Sequence, residues 1–391
     1  MIKKAEKTML AHGMEKYKSI LVGLSGGADS AALTHVLCAL APKYGFKIYA
    51  AHVNHCLRGS AADEDEEFSR RFAEKLGIGF FSLRADVRAY AKEHGISEEL
   101  AGRAVRYDFF EKLMRDHGID CTATAHHRND NAETILMNFM RGSGISGLCG
   151  IPYIRGRIIR PLLDVTRAEI EKYCADNGIK YVTDATNLEE EYTRNKIRHT
   201  LIPLIEKTFN PSFTDTVTNN AAIIAREDDF ISEFAKEKYN AIVKDGAVAV
   251  DELKRLHPAI GARIVRMMTE SVCGKSDVPS KVIDSVLELA KNGKTGTRAD
   301  IARGAQAFIE YGKLYIAYPE KETEPFSYKL ELGKKTYIPE LGKWFLAEMA
   351  DKRTGDGEYF SVPDPDENGI IDINIRSRYI CTFWYERKKK T

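Results

Sequence analysis

No stretch of these 391 residues is apolar for long enough to span a bilayer, and the opening Met1-Ile2-Lys3-Lys4-Ala5-Glu6-Lys7 lacks the apolar core of a secretion signal. The expected location is the cytoplasm. The seven cysteines, Cys38, Cys56, Cys121, Cys149, Cys174, Cys273 and Cys381, include no Cys-x-x-Cys pair. Zinc ribbons, thioredoxin-type redox pairs and clustered iron–sulfur sites are thereby disfavoured, and most of these cysteines should be small core residues. Net charge is also missing. The 58 basic residues nearly cancel the 57 acidic ones, leaving +1, so no global field draws nucleic acid, and such a case must rest on local clusters. Internal repeats and low-complexity tracts are absent as well. What remains, 43% hydrophobic and 29% charged, is a globular composition with enough residues for two or three domains.

The most informative run is Ile20-Leu21-Val22-Gly23-Leu24-Ser25-Gly26-Gly27-Ala28-Asp29-Ser30. Its apolar half reads as a buried parallel strand, and Gly26-Gly27 lets backbone N–H groups close on an anion. A helix over about Ala31–Leu40 then points its positive end at that anion. No Gly-Lys-Ser/Thr follows, so this is not a Walker A loop, and the lysine that steadies a transferring phosphate is missing. Asp29 stands in the loop instead, where a carboxylate repels phosphate unless a divalent cation bridges the two. An ordinary strand-to-helix turn is the competing reading, and a bare glycine pair would leave it ahead.

Alternating patterns over the first two hundred residues signify βαβ units. Strands fit Ser19–Leu24, Lys47–Val53, Gly79–Leu83, Cys121–Ala125 and Arg157–Arg160; helices fit Ala31–Leu40, Asp63–Leu76, Leu100–His117, Asn131–Arg141 and Ala168–Asn177. Thr166 and Glu169 form a capping-box pattern ahead of the last helix, and Gly178 suits its C-cap. The expected fold is therefore α/β: a doubly wound, mostly parallel five-stranded sheet over residues 1–209, with its ligand beyond the carboxyl ends of the strands. Residues 210–320 read as a helical domain, with helices at Thr216–Asn240 and Lys281–Lys291, a mixed stretch Ala247–Thr269 and a hairpin over Ala307–Ala317. Pro319–Pro325 reads as a linker to a short strand-rich, aromatic segment over 321–391, with Tyr328, Tyr337, Trp344 and Phe345.

Other residues suggest chemistry. The loop after the second strand, His52-Val53-Asn54-His55-Cys56-Leu57-Arg58-Gly59-Ser60, lies where adenosine sits in such sheets, and Arg58 is placed to meet a phosphate. The acidic run Asp63–Glu67 reads most simply as a solvated helix start. The pairs His52/His55 and His126/His127 lack metal-binding spacing. Asp130 and Glu133, three residues apart at a helix start, share a face. They form either a cap worth about 1 kcal/mol or a paired-acid pocket for magnesium or an amine. Arg141-Gly142-Ser143-Gly144-Ile145-Ser146-Gly147 is too glycine-rich to continue that helix and reads as a mobile loop. Arg141, Arg155, Arg157, Arg160 and Arg167 form one basic cluster; Arg194, Lys196 and Arg198 form a second, and Arg387–Lys390 a third. Solvated surface charge is the plain reading of each.

The string Ser-Gly-Gly-x-Asp-Ser resembles the pyrophosphate loop of the N-type ATP pyrophosphatases, with their adenine nucleotide alpha hydrolase-like fold. Further matches lie in His52-x-Asn54-His55-x-Leu57-Arg58-Gly59, Ala101-Gly102-Arg103-x-x-Arg106-Tyr107, Ala125-His126-His127-x-x-Asp130-x-Ala132-Glu133-Thr134, Arg141-Gly142-Ser143-Gly144-x-x-Gly147-Leu148, Arg160-Pro161-Leu162-Leu163, and Asp184-x-Thr186-Asn187 through Arg194-Asn195-x-Ile197-Arg198. In that order, over roughly residues 20 to 205, the chain resembles the tRNA(Ile)-lysidine synthetases.

The resemblance implies a C–N bond-forming ligase that joins lysine to carbon 2 of the wobble cytidine of an isoleucine tRNA with a CAU anticodon. The reaction would pass through an adenylated tRNA, release pyrophosphate and AMP, and change codon reading from AUG to AUA. Ser25, Gly26, Gly27, Ala28, Asp29, Ser30, His52 and Arg106 would bind ATP, with Asp29 on Mg2+ and Arg103 steadying phosphates. Asp130 and Glu133 would fix free L-lysine, and Arg58, Arg141, Arg194, Asn195 and Arg198 would contact tRNA. Oligomeric state is left open, a homodimer included. Asn129 stands where the family usually has aspartate, and the final segment looks abbreviated, so weaker tRNA affinity is expected. A sulfur-inserting tRNA enzyme is disfavoured by the missing cysteine pairs, and a non-catalytic tRNA-binding protein by the intact loop. An amidotransferase synthetase would need a glutaminase segment, and none is present.

Overall fold

The computed structural model describes residues 1–57, 59–182, 190–274, 278–319, 335–339, 343–346, 370–377 and 379–384. Arg58 and Asp184 through Asn187 lie outside these residues, as do Tyr328 and most of the expected linker.

Six strands form the first sheet: β1 (Ser19–Gly23), β2 (Lys47–Asn54), β3 (Gly79–Arg84), β4 (Cys121–Ala123), β5 (Ile154–Arg155) and β6 (Ile158–Ile159), in the order β3-β2-β1-β4-β6-β5. All neighbours are parallel except β5 and β6. The expected fifth strand shrinks to two residues. Gly156, at φ 58°, turns the chain so that Ile154–Arg155 pairs back on it, and this adds the antiparallel edge. Ile20, Leu21 and Val22 on the central β1 are fully buried, as a strand covered on both faces requires.

Helices α1 (Ile2–Ala11), α2 (Ala28–Tyr44), α3 (Ser60–Lys75), α4 (Val87–His94), α5 (Glu98–Asp116), α6 (Arg128–Met140), α7 (Ile145–Leu148) and α8 (Arg167–Asp176) cover this sheet and its loops. Three of them, α1, α4 and the one-turn α7, go beyond the expected set. Alone, α1 is weakly helical, but Ala5 and Met9 bury completely in the main core, so packing decides it. The glycine-rich stretch after Arg141 is also more ordered than expected, since Ile145–Leu148 makes a helical turn whose Gly147 carbonyl accepts Asn138 Nδ2 at 2.8 Å. The Thr166/Glu169 capping box forms as anticipated.

Beyond the sheet come α9 (Glu190–Lys196), a π-type turn over Ile197–Leu201, α10 (Ile202–Thr208) and the 30-residue α11 (Phe213–Ile242). The mixed stretch resolves into β7 (Val243–Lys244), β8 (Ala247–Ala249), α12 (Val250–Arg255) and α13 (Pro258–Cys273), followed by α14 (Ser280–Asn292). Strands β9 (Arg298–Asp300), β10 (Gln306–Glu310) and β11 (Lys313–Ala317) join β7 and β8 in a second sheet, which contains the expected hairpin.

The chain divides into two compact units, Met1–Ile301 with Ala307–Ile316, and Ala302–Gln306 with Ala317–Thr391. Within the first, Arg128 of α6 pairs with Asp215 of α11. The second contains two antiparallel ladders, Lys335–Ile338 with Lys343–Leu346 and Ile370–Ser377 with Tyr379–Trp384. Among the described residues no helix is long and apolar enough to cross a membrane.

Candidate active site

The turn from β1 into α2 is stabilised from within. Ser30 Oγ donates to the Gly27 carbonyl at 3.0 Å, accepts the Ser25 N–H at 3.2 Å and lies 3.1 Å from Ser25 Oγ. Gly26 takes φ 88°, a region costly for any side chain, and its carbonyl accepts the Val182 N–H at 2.9 Å. Ser25, Gly26 and Gly27 thus make the loop, and Ala28, Asp29 and Ser30 form the first turn of α2.

His52 supports this loop from below. It is buried, and its Nδ1 lies 2.9 Å from the Leu24 carbonyl and 3.2 Å from Ser69 Oγ. A carbonyl only accepts, so Nδ1 carries the proton and Nε2 is the ring's acceptor. Burial pushes the His52 pKa down, which keeps the ring neutral. Arg106 reaches the neighbouring loop, its Nη2 3.3 Å from His55 Nε2, while Arg103 lies over the Tyr107 ring at 5.0 Å.

The acidic run behind this loop opens α3 as expected, with Asp63, Glu64 and Glu67 exposed, but two of its members face inward. Asp65 and Glu66 are buried, and Glu66 accepts from Arg84 Nε at 2.9 Å and Asn54 Nδ2 at 3.3 Å. Burial opposes its ionisation, but bonds from Ser82, Asn54 and Arg84 outweigh that and hold its pKa below the ordinary value. The run anchors the end of β2.

At the start of α6 the cap is His127, not Asp130. The His127 N–H donates to Asp130 Oδ2 at 3.0 Å, and the Asp130 N–H donates back to His127 Nδ1 at 3.4 Å. His127 Nε2 lies 3.4 Å from Asp130 Oδ2 and 3.8 Å from Asp29 Oδ1, so one buried imidazole stands between the loop carboxylate and the acid pair.

Both acidic positions are filled by arginines. Arg194 Nε donates to Glu133 Oε2 at 2.7 Å, and Arg198 donates through Nε to Glu133 Oε1 at 2.6 Å and through Nη2 to Oε2 at 2.9 Å. The Nη2 groups of Arg194 and Arg198 also reach Asp130 Oδ1, at 3.3 and 3.1 Å. Burial opposes charge on Asp130, yet His127, Arg194 and His126 hold its pKa below the ordinary carboxylate value. Two arginines of the second basic cluster, read as solvated charge, thus turn toward the acid pair while their side chains stay 35% and 39% exposed. Arg141 is exposed at the end of α6, whereas Asn195 is half-buried.

Asp29 is held by Arg167, which was read only as part of a basic cluster. Arg167 Nη1 donates to both Asp29 oxygens, at 2.8 and 2.7 Å, and its Nε to Glu171 at 2.7 Å. Burial raises the Asp29 pKa, against the pull of His127 and Arg167. Asn129 explains how Arg167 arrives there: its Oδ1 accepts the Arg167 N–H at 3.0 Å. An amide oxygen can accept a backbone N–H as a carboxylate oxygen can, and here Asn129 ties the start of α6 to the start of α8. The first basic cluster dissolves similarly, with Arg160 buried and donating to the Pro152 carbonyl at 2.6 Å and Arg157 Nε donating to the Asp120 carbonyl at 2.9 Å.

Among the described residues, no group of three or more His, Cys, Asp or Glu forms a metal cage. A site of one or two carboxylates completed by phosphate oxygens, the kind that magnesium uses, is compatible with Asp29, which already takes a cationic group on both oxygens. Cysteines take no visible part: Cys121, Cys174 and Cys273 are buried, and burial pushes Cys38 up to about 11 and Cys121 to about 12.

The family model described as a PP-loop domain matches residues 1–205. A tRNA(Ile)-lysidine synthase from Caldanaerobacter subterraneus is 38% identical over 388 residues, covering 96% of this chain and 83% of that protein. One from Clostridium acetobutylicum is 39% identical over 330 residues, covering 83% of this chain and 70% of its own. Among solved structures, the U34-tRNA thiolase NcsA from Methanococcus maripaludis is similar at 19% identity and a TM-score of 0.47, over 56% of this chain and 76% of that one.

Proposed function

The chain belongs to the tRNA(Ile)-lysidine synthase family, PP-loop ligases that use ATP to form lysidine on tRNA, and from that premise we propose how its own residues divide the reaction. In the first half, the 2-oxo oxygen of the wobble cytidine in the CAU anticodon attacks the α phosphorus of ATP. The bond to the bridging oxygen breaks, and diphosphate leaves into the N–H groups of Ser25–Ser30, which oppose its developing charge without reorganising. Magnesium, when bound at Asp29, would supply further neutralisation of that charge. Arg103 and Arg106 meet the triphosphate, and the acceptor nitrogen of His52 suits the amino group of adenine. In the second half, free lysine gives up a proton from its ε-ammonium to water, and the neutral nitrogen forms the bond to C2. The C2–O bond then breaks, and that oxygen departs on AMP. The modified anticodon reads AUA in place of AUG.

One observation carries this reading: His127 Nε2 touches the surroundings of both the loop carboxylate, at 3.8 Å, and the acid pair, at 3.4 Å. A phosphate-cradling loop and a pocket selective for cationic nitrogen therefore share one wall, which is what activation followed by amine attack needs. The acid pair already accepts guanidinium groups in the geometry that an ammonium would use. Arg58, Arg141, Arg194, Asn195 and Arg198 remain proposed tRNA contacts, of which Arg141 has the open surface for it. Whether two copies of the chain assemble is a further question for solution measurement.

The test is purified protein with ATP, magnesium, labelled lysine and isoleucine tRNA bearing CAU. Label should enter the tRNA, and omission of lysine should leave an adenylated tRNA. ADP as the nucleotide product would overturn the reading.

A further inference from the structure

The chain lacks the lysine that a Walker loop places on its leaving phosphates, yet a cation is at the loop all the same. We propose that Arg167 is the diphosphate-binding cation of this site: it holds Asp29 while the loop is empty and moves to the diphosphate oxygens when that carboxylate is engaged elsewhere. The inference rests on the reading of the glycine loop given above, and adds to it a residue from another element, 138 positions away.

The geometry is specific. Arg167 is the first residue of α8, and its backbone is fixed on both sides of the peptide plane's neighbourhood by the Thr166/Glu169 capping box and by Asn129 Oδ1. α8 packs alongside α2, with Cys174 Sγ 3.8 Å from the Ala28 carbonyl and Tyr173 Oη 2.8 Å from His35 Nδ1. The guanidinium is thereby delivered to the first turn of α2, where the loop's N–H groups end. Both Asp29 oxygens take the same Nη1 while Nε is held by Glu171, so the contact with Asp29 can break without breaking the one with Glu171. Neither end of the contact is sealed: the side chains are 40% and 30% exposed. An ion pair this open contributes little to stability, about 0–1 kcal/mol, so structure alone gives weak reason for it. A planar fork is in addition the group best matched to phosphate oxygens.

The electrostatics favour exchange. With Arg167 on Asp29 the pair is neutral, and the empty loop does not expose a carboxylate to an arriving polyphosphate. Once Asp29 is engaged by a divalent cation, Arg167 Nη1 loses its partner beside the most anionic part of the ligand, while Nε keeps Glu171. Arginine cannot shed its charge, so it stays a cation through this exchange.

The experiment measures binding of inorganic diphosphate by calorimetry, with magnesium present and no tRNA, to the full chain and to Arg167→Gln, Arg167→Lys, Asp29→Asn and the Asp29→Asn/Arg167→Gln double variant. AMP binding and thermal melting serve as controls for the fold. Arg167→Gln should weaken diphosphate binding roughly tenfold or more, the loss of one charge-assisted contact, and leave AMP binding unchanged. Arg167→Lys should recover part of it. In the Asp29→Asn background, removing Arg167 should still weaken diphosphate binding, because the arginine itself meets the ligand. If Arg167→Gln costs nothing there, Arg167 acts only by positioning Asp29 and the proposal is overturned. If Arg167→Gln binds diphosphate as the unaltered chain does, it is likewise overturned while the reading of the loop stands. Failure of the unaltered chain to bind diphosphate or ATP would instead refute the reading of the loop itself, and this proposal with it.

Discussion

Two carboxylate sites in this molecule hold arginine, and they hold it differently. Asp29 keeps a single guanidinium, from α8, in a half-open contact. Glu133, with its side chain 1% exposed, keeps two, from α9 and the π-type turn, in a closed lattice that also takes in Asp130. The first pair can exchange partners at small cost. At the second, withdrawing the cations leaves a buried anion, so the substrate ammonium proposed to bind there would have to replace an arginine contact as it arrives rather than enter after one has left. The contrast suits an anion that comes and goes at one site, and selective capture of a cation at the other.

The largest effect that would break this contrast is expected at Glu133. Glu133→Gln leaves two guanidinium groups without their carboxylate, so lysine transfer should fall by about two orders of magnitude and stability by roughly 3 kcal/mol, measured by label incorporation and denaturant titration. Adenylated tRNA should still form, and equal loss of both steps would mean that the two sites are not separable. Next, Ser25→Ala and Asp29→Asn should slow adenylation of the tRNA, by about tenfold to a hundredfold for one loop contact, with little change in melting temperature; a collapse of the fold would make the loop site as closed as the other. A smaller difference should separate the arginines. Arg141→Ala, on open surface, should reduce the salt slope of tRNA binding by about one, whereas Arg194→Ala, whose guanidinium is also bonded to Glu133, should reduce it by less and impair lysine use as well. The smallest effect concerns acid. Burial pushes His126 down to about 4, so folding disfavours its protonation: this contribution is complete above about 6.5 and fades as pH falls toward about 4. Asp130, whose pKa is lowered, loses its contribution on further acidification. Denaturant titrations at pH 7 and pH 5 should therefore differ less for His126→Gln than for the unaltered chain.

Much of the catalytic sheet could be read before the structure. Ile20–Val22 and the residues around it are an unbroken apolar run between turn signals, and local chemistry suffices for such a strand. The capping box at Thr166 and Glu169 is likewise local. The helix α1 and the edge strand Ile154–Arg155 were not legible, because their stability comes from what they pack on rather than from their own pattern. In the site, the loop residues and the pair Asp130 and Glu133 were found from spacing. Arg167, Arg194 and Arg198 were visible only as basic clusters, since no sequence pattern tells a guanidinium that faces water from one that crosses the crevice to a carboxylate.

By itself the sequence determined the glycine turn, the acids that share a helix face and the family to which they belong, because each depends on residues a few positions apart. Tertiary structure alone decided which cation meets which anion. Asp29 and Arg167 are 138 residues apart, and Glu133 and Arg194 61; charge pairs at such separations exist only once the packing of α8 on α2, and of the α9 segment beside α6, has brought the helices together.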